Sequence, residues 1–231
     1  RLANLQLLLS SLSPRVIALQ ETNFSNNKIH CPKSYSLFYK NRADCKIASG
    51  GVAIMVHDSV PSQELKIHSP YEVVAVQIQC PQQITICNIY LPPRQFITSD
   101  QFSNILKQLP SPLILLGDFN AHHAIWGSPT SDQTGDILAQ LLDTSDLVLL
   151  NTGQSTRFDA ATGHFSTLDL TFCHPTLVHL LEWTVLPDLN NSDHFPIHIQ
   201  HRYVSPTSTL PRATQMENFS SRLRALRQPY K

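Results

Sequence analysis

No apolar run in this sequence approaches the ~20 residues a helix needs to cross a bilayer. The longest, such as Leu113–Leu116, are strand-sized. No basic stretch followed by a long apolar segment opens the chain, so no signal peptide is visible. Charge is scarce: 15% of residues are charged against 42% apolar, and 17 Lys and Arg balance 17 Asp and Glu. Zero formal charge argues against a protein that holds nucleic acid by bulk attraction alone. The five cysteines (Cys31, Cys45, Cys80, Cys87, Cys173) are odd in number and form no C-x-x-C pair. That speaks against a zinc ribbon or a disulfide framework and fits reduced thiols in an intracellular protein. Internal repeats and low-complexity tracts are missing, and the composition is not that of a disordered or collagen-like chain.

What is there is 231 residues, enough for one large domain, or one domain plus a tail, with a sizeable core. The charge is unevenly placed. From Arg202 onward six basic residues face one acid, a net +5, which leaves −5 on residues 1–201. An acidic body fits a site that concentrates carboxylates around a cation, and it also fits plain solvation.

Leucines at 2, 5, 8, 9 and 12 predict a helix over Leu2–Leu12, stopped by Ser13-Pro14. Strands are predicted at Val16–Leu19, Tyr35–Tyr39, Val52–Val56, Val73–Ile78 and Ile84–Tyr90, several separated by Gly50-Gly51, Ser69-Pro70 and Pro81. Ser99–Leu109 reads as a helix and Leu113–Leu116 as a buried strand. Thr134 is the expected N-cap of a helix through about Leu142. Leu147–Leu150, Leu168–Phe172, Trp183–Leu186 and Phe195–Ile199 complete the strands. Strands outnumber helices, which fall between groups of strands, so a layered α/β protein is expected. Residues 204–231, rich in Ser, Thr, Pro and Arg, read as a basic linker with a short helix around Met216–Leu226.

Polar residues gather where strands end: Gln20-Glu21, Asn88 and Tyr90, Gly117-Asp118-Phe119-Asn120, Ser192-Asp193-His194. Ligands of α/β folds sit at strand ends. Asp169, inside an apolar strand, needs a partner, and His194 is a candidate. His194, His198 and His201 do not make a zinc site: no H-E-x-x-H helix accompanies them, and on a strand His201 faces away from the other two.

Five ordered segments, QET (Gln20–Thr22), NIYLPP (Asn88–Pro93), GDFNAHHAIWGS (Gly117–Ser128), STLDLTF (Ser166–Phe172) and SDHFPI (Ser192–Ile197), together resemble the endonuclease/exonuclease/phosphatase superfamily. Within it, His122-His123 and Trp126-Gly127-Ser128 resemble the endonuclease domains of LINE-type, non-LTR retrotransposons. The resemblance spans about residues 1–203 and implies a four-layer α/β sandwich, two packed mixed or antiparallel sheets flanked by helices. It implies hydrolysis of a DNA phosphodiester with Mg²⁺, or Mn²⁺ in its place. Glu21 would ligate the metal through a hard carboxylate. Asp193 would also stand near the cation. Asp118 would orient and deprotonate the attacking water, and Asn120, two residues on, would hold a phosphate oxygen or that water. His194 would donate to a phosphate oxygen and stabilise transition-state charge, and Asp169 would orient the imidazole and favour its protonated form. Tyr90 would contact the scissile phosphate or the leaving group, and Thr156 a phosphate. His122 would either approach the phosphate or pack within its loop.

Family members begin with a strand whose Asn reaches the metal. Nothing like it precedes Leu2–Leu12, and the chain begins at Arg1, so a truncated domain lacking its first strand is expected. Three functions compete. The first is a nuclease that nicks DNA in the nucleus, with a reverse transcriptase region following Lys231. The second is another enzyme of the superfamily, an abasic-site nuclease, a phosphatase or a phospholipase. The inositol phosphatases' Arg after the GD-x-N-x motif and their Asp-Arg motif are replaced here by Ala121-His122 and Leu168-Asp169-Leu170. The third is a catalytically dead fragment. For the first reading, Arg42, Lys46, Arg94 and Arg157 are candidate phosphate contacts. Tethering to other domains would offset the low basic content.

Overall fold

A computed structural model describes residues 2–24, 31–43 and 49–202. Helix α1 (Leu2–Leu12) leads into β1 (Val16–Gln20), β2 (Tyr35–Lys40), β3 (Val52–His57), β4 (Ser62–Leu65), β5 (Glu72–Gln79) and β6 (Gln83–Tyr90). There follow α2 (Ser99–Leu106), β7 (Leu113–Asp118), a 3₁₀ turn at Ala124–Trp126, α3 (Gln133–Thr144), β8 (Val148–Leu149), β9 (Arg157–Asp159) and β10 (His164–Ser166). The chain closes with β11 (Asp169–Cys173), α4 (Pro175–Val178), β12 (Leu181–Val185) and β13 (Ile197–His201). The reading of Met216–Leu226 and of 204–231 lies outside the described residues, as does Lys46.

A six-stranded sheet in the order β4-β5-β6-β7-β11-β8 carries the core, and a three-stranded sheet β1-β3-β2 packs on it. Strands β9 and β10 form a hairpin, and β12 pairs with β13. All pairings in the large sheet are antiparallel except β6 with β7, whose crossover carries α2. Parallel neighbours need such a long connection.

The central strands are buried on both faces, which is why β5 and β6 are near-continuous apolar runs. Their alternation separates two cores. Val73, Ala75, Cys87, Ile89, Leu113 and Leu115 pack with Phe102 and Ile105 of α2 and Leu138 of α3. Val74, Val76, Ile84, Ile86 and Ile114, one residue out of phase, meet Val52, Ile54 and Val56 of β3. Helices and packed sheets thus alternate as layers of a mixed α/β fold.

Fully buried Asn88 stitches the sheets together. Its Nδ2 donates to Leu19 O (2.9 Å) and Ala53 O (3.0 Å), and its Oδ1 accepts from Gln20 Nε2 (2.6 Å). Every buried polar atom of that side chain is satisfied, as burial demands.

Among the boundaries that differ from the sequence reading, two belong to helices. The N-cap of α3 is Asp132, not Thr134: its carboxylate accepts from Gly135 N at 2.7 Å, satisfying one of the free N–H groups of the first turn. Helix α2 opens at Thr98 with a capping box to Gln101 and ends at Leu106, earlier than Leu109. Pro110 lies too close for the helical ladder to continue.

Candidate active site

The large sheet holds the site in a single row. Glu72 pairs with Tyr90, Tyr90 with Asp118, and Asp118 with Asp169, across β5, β6, β7 and β11. Directly opposed residues point to the same face. Four polar side chains therefore line up on the face toward the three-stranded sheet, at the end where parallel β6 and β7 finish. All are buried, at 6, 2, 5 and 8% exposure in that order. Gly117 permits this register. Its φ is +147°, and a Cβ there would stand 1.9 Å from Ile89 O, so any side chain would part β7 from β6.

Glu21 comes from the other sheet, just past β1. Tyr90 Oη donates to its Oε1 at 2.5 Å. The Gln20–Asn88 bond beside it fixes how the two sheets meet. Asn120 N donates to Asp118 Oδ1 (3.0 Å), and its Nδ2 reaches Asp118 Oδ2 (3.2 Å) and Leu91 O (2.9 Å). Glu21 (φ 49°) and Asn120 (φ 45°) both occupy the left-handed region, a costly conformation for Glu that turns each side chain sharply at its strand end.

His194 arrives from the loop before β13. Backbone bonds Phe195 N to Thr156 O (2.7 Å) and Phe158 N to Asp193 O (2.8 Å) dock that loop on the β9 edge. His194 Nδ1 then lies 2.8 Å from Asp169 Oδ2, and its Nε2 stands 3.9 Å from Asp118 Oδ2, beyond hydrogen-bond reach. The ligand atoms of Asp118, Asp169 and His194 all lie within 4.8 Å of one another.

Electrostatics follow from the crowding. Burial pushes the Asp118 carboxyl well above the usual range, and the Asp169 charge adds to this; His194 and the Asn120 N–H act against them. Burial alone would lower the His194 pKa, but the Asp169 hydrogen bond and charge, with Asp118 and Asp193, hold it up at about 9. Tyr90 is kept protonated by burial and by its bond to Glu21. A divalent cation fits this donor set, because clustered carboxylates that raise one another's proton affinity are stabilised by positive charge between them.

Asp193 and Thr156 are held by protein partners. Asp193 does not turn to the carboxylates. Its Oδ2 takes Arg157 Nε at 2.9 Å, and that partner, working against partial burial, holds its carboxyl below the usual range. The pair braces the His194 loop, and Asp193 is not among the grouped candidate ligands Asp118, Asp169 and His194. Thr156 is fully enclosed, with its Oγ1 accepting from Leu168 N and Asp169 N, both at 3.1 Å. It holds β11 beneath Asp169. His122 is fixed through its backbone to Asp132, and the His123 ring lies 5.3 Å from that of Trp126 and accepts from Ile125 N.

Glu72 was missed by the sequence reading. Its carboxylate accepts from Arg42 Nε (2.6 Å) and from Gly51 N. The signal was phase: a charged residue in step with inward-facing Val74 and Val76.

Fold and site together define a member of the endonuclease/exonuclease/phosphatase superfamily of hydrolases. The family model described as "Endonuclease-reverse transcriptase" matches residues 84–198, and the chain belongs to its non-LTR retrotransposon branch. It is similar to the endonuclease domain of TRAS1, a telomere-specific non-LTR retrotransposon: 26% identity, TM-score 0.72, 87% of this chain and 91% of that one. In sequence it is 29% identical over 188 residues to the probable RNA-directed DNA polymerase from transposon X-element of Drosophila melanogaster, covering 76% of this chain and 20% of that protein. The corresponding protein of transposon BS is 28% identical over 192 residues, covering 77% and 20%. The chain thus spans about a fifth of the length of these curated relatives. A Neisseria 3′ phosphatase, NExo, shares the fold at 18% identity and TM-score 0.66. No helix among the described residues is long and apolar enough to cross a membrane.

Proposed function

We propose that this chain is a divalent-metal-dependent DNA endonuclease domain that nicks nuclear target DNA, the nick priming a reverse transcriptase region of the same polyprotein. The observation that carries the reading is the convergence of Tyr90, Asp118 and Asp169 onto one buried row, with Glu21 and His194 brought beside it from distant parts of the sequence.

Each residue has a task set by its geometry. Asp118, its proton affinity raised, takes the proton of the attacking water as that oxygen bonds to phosphorus. Asn120, held against both Asp118 oxygens, keeps the carboxylate oriented toward that water. His194 is charged at neutral pH and commits Nδ1 to Asp169, which leaves Nε2–H to donate to a non-bridging phosphate oxygen as negative charge builds. The bond from phosphorus to the 3′-oxygen breaks with its electron pair on that oxygen, which takes a proton from solvent water and becomes a 3′-hydroxyl that a polymerase can extend. Tyr90 anchors Glu21 and faces the leaving-group side. Glu21, with the Asp118 and Asp169 carboxylates, would hold Mg²⁺ or Mn²⁺, which supplies positive charge for the phosphate.

The test is a paired assay. With Mg²⁺ the protein should nick supercoiled plasmid, EDTA should abolish nicking, and inositol phosphates should release no phosphate. Phosphate release with the plasmid left intact would overturn the nuclease reading.

A further inference from the structure

At the β5 end of the row sits an ion pair, Arg42 with Glu72, that the proposed chemistry does not use. Glu72, 6% exposed, is the outermost member of the row. Both its carboxylate oxygens are occupied, one by Arg42 Nε and one by Gly51 N. Arg42 follows β2 and so belongs to the three-stranded sheet. Its guanidinium carbon lies 5.8 Å from the centre of the Tyr90 ring, within cation–π range. The seat is closely built. Gly50 (φ +63°) leaves no room for a side chain, since a Cβ there would meet the guanidinium at 2.5 to 2.8 Å. From the Tyr90 hydroxyl the path continues to Glu21.

We infer that Glu72 and Arg42 are a positioning pair that clamps the Tyr90 ring and, through its hydroxyl, fixes the Glu21 carboxylate for the cation. This deepens the proposed function and rests on it. It also separates two roles for Arg42. A free surface cation would bind DNA phosphate and govern affinity. A guanidinium spent on a buried carboxylate and laid over a ring governs geometry. A flat, forked group suits that task, and an ammonium does not replace it.

The test uses the full chain with Mn²⁺ as the probe. Mn²⁺ affinity is measured by calorimetry, and plasmid nicking is resolved into kcat and KM, for the parent, Arg42→Ala, Arg42→Lys, Glu72→Gln and Tyr90→Phe. Residues that orient a metal's ligands typically affect affinity or activity by about 10- to 100-fold. Arg42→Ala and Glu72→Gln should therefore weaken Mn²⁺ binding and lower kcat by about 10-fold, with KM nearly unchanged, and Arg42→Lys should fall between. Arg42→Ala should add little on a Tyr90→Phe background, because both act through one ring. Should Arg42→Ala not melt cooperatively, Arg42→Lys carries the comparison. Parental Mn²⁺ affinity and kcat in a folded variant would overturn the inference. So would a raised KM at constant kcat, or full additivity with Tyr90→Phe. If the parent binds Mn²⁺ but nicks no DNA, the nuclease reading fails while the affinities still decide the clamp. A parent that binds no Mn²⁺ overturns both.

Discussion

Replacing Asp169 with Asn removes one charge and little volume, and its consequences can be worked from the geometry. The 2.8 Å contact and the Asp169 charge are the main reasons that His194 stays protonated against its burial. With the pKa at about 9 the imidazolium is about 97% populated at pH 7.5; returned to the ordinary value of about 6.5, it is about 10% populated. Protonation alone then costs about 10-fold in rate at pH 7.5. Loss of the fixed ring orientation costs about another 10-fold, the scale of a mispositioned donor. The same substitution removes a charge that raises Asp118, so the proton affinity of the base falls as well. The clearest assay is an NMR titration of the imidazole in the metal-free chain. The parent His194 should titrate near pH 9 and the Asp169→Asn variant one or more units lower. The sign for stability is opposite to that of a depressed carboxylate. His194 gains affinity for its proton on folding, so its stabilisation is fully present below about pH 6.5 and is lost as pH rises through about 9. The parent's alkaline loss of stability should therefore be blunted in the variant. An unchanged His194 titration in Asp169→Asn would refute the reasoning.

Two further predictions follow from buried groups. Thr156→Val should leave Leu168 N and Asp169 N without an acceptor, costing about 2–4 kcal/mol by denaturant titration, whereas Thr156→Ser should restore most of it. Parental stability in the Val variant would show that the hydroxyl is not the brace. Asp118→Asn should abolish nicking yet raise the metal-free melting temperature by a few degrees at neutral pH. The raised carboxyl of Asp118 destabilises the fold once pH passes its unfolded pKa, and the amide removes that charge. A lower melting temperature would show that the carboxylate is stabilising.

How much of this was legible beforehand depended on periodicity. Long apolar runs such as Ile84–Tyr90 and short alternating ones such as Tyr35–Tyr39 declared themselves as strands. Strand β4, Ser62–Leu65, did not, because it is a polar, mostly exposed edge. The hairpin of β9 and β10 has three residues per strand, too few for a pattern. Five segments around the site were recognisable in order, but register was not. Nothing in the sequence says that Tyr90, Asp118 and Asp169 face one another, since pairing between strands far apart in the chain sets it. For the same reason Asp193 could be placed near His194 but not seen to turn toward Arg157, 36 residues away. Thr156 was read as a phosphate contact, while its burial beneath Asp169 depends on the fold and leaves no local pattern in the sequence.

The central claim is that Asp118 and His194 perform the chemistry from a preformed site. Single-turnover nicking of supercoiled plasmid in saturating Mg²⁺, by the parent and by Asp118→Ala and His194→Ala, tests it most directly. The account predicts that each variant melts as a folded protein and nicks at least about 100-fold more slowly than the parent, the scale of a lost base or charge-stabilising donor. A folded variant of either kind that nicks at near the parental rate would contradict it.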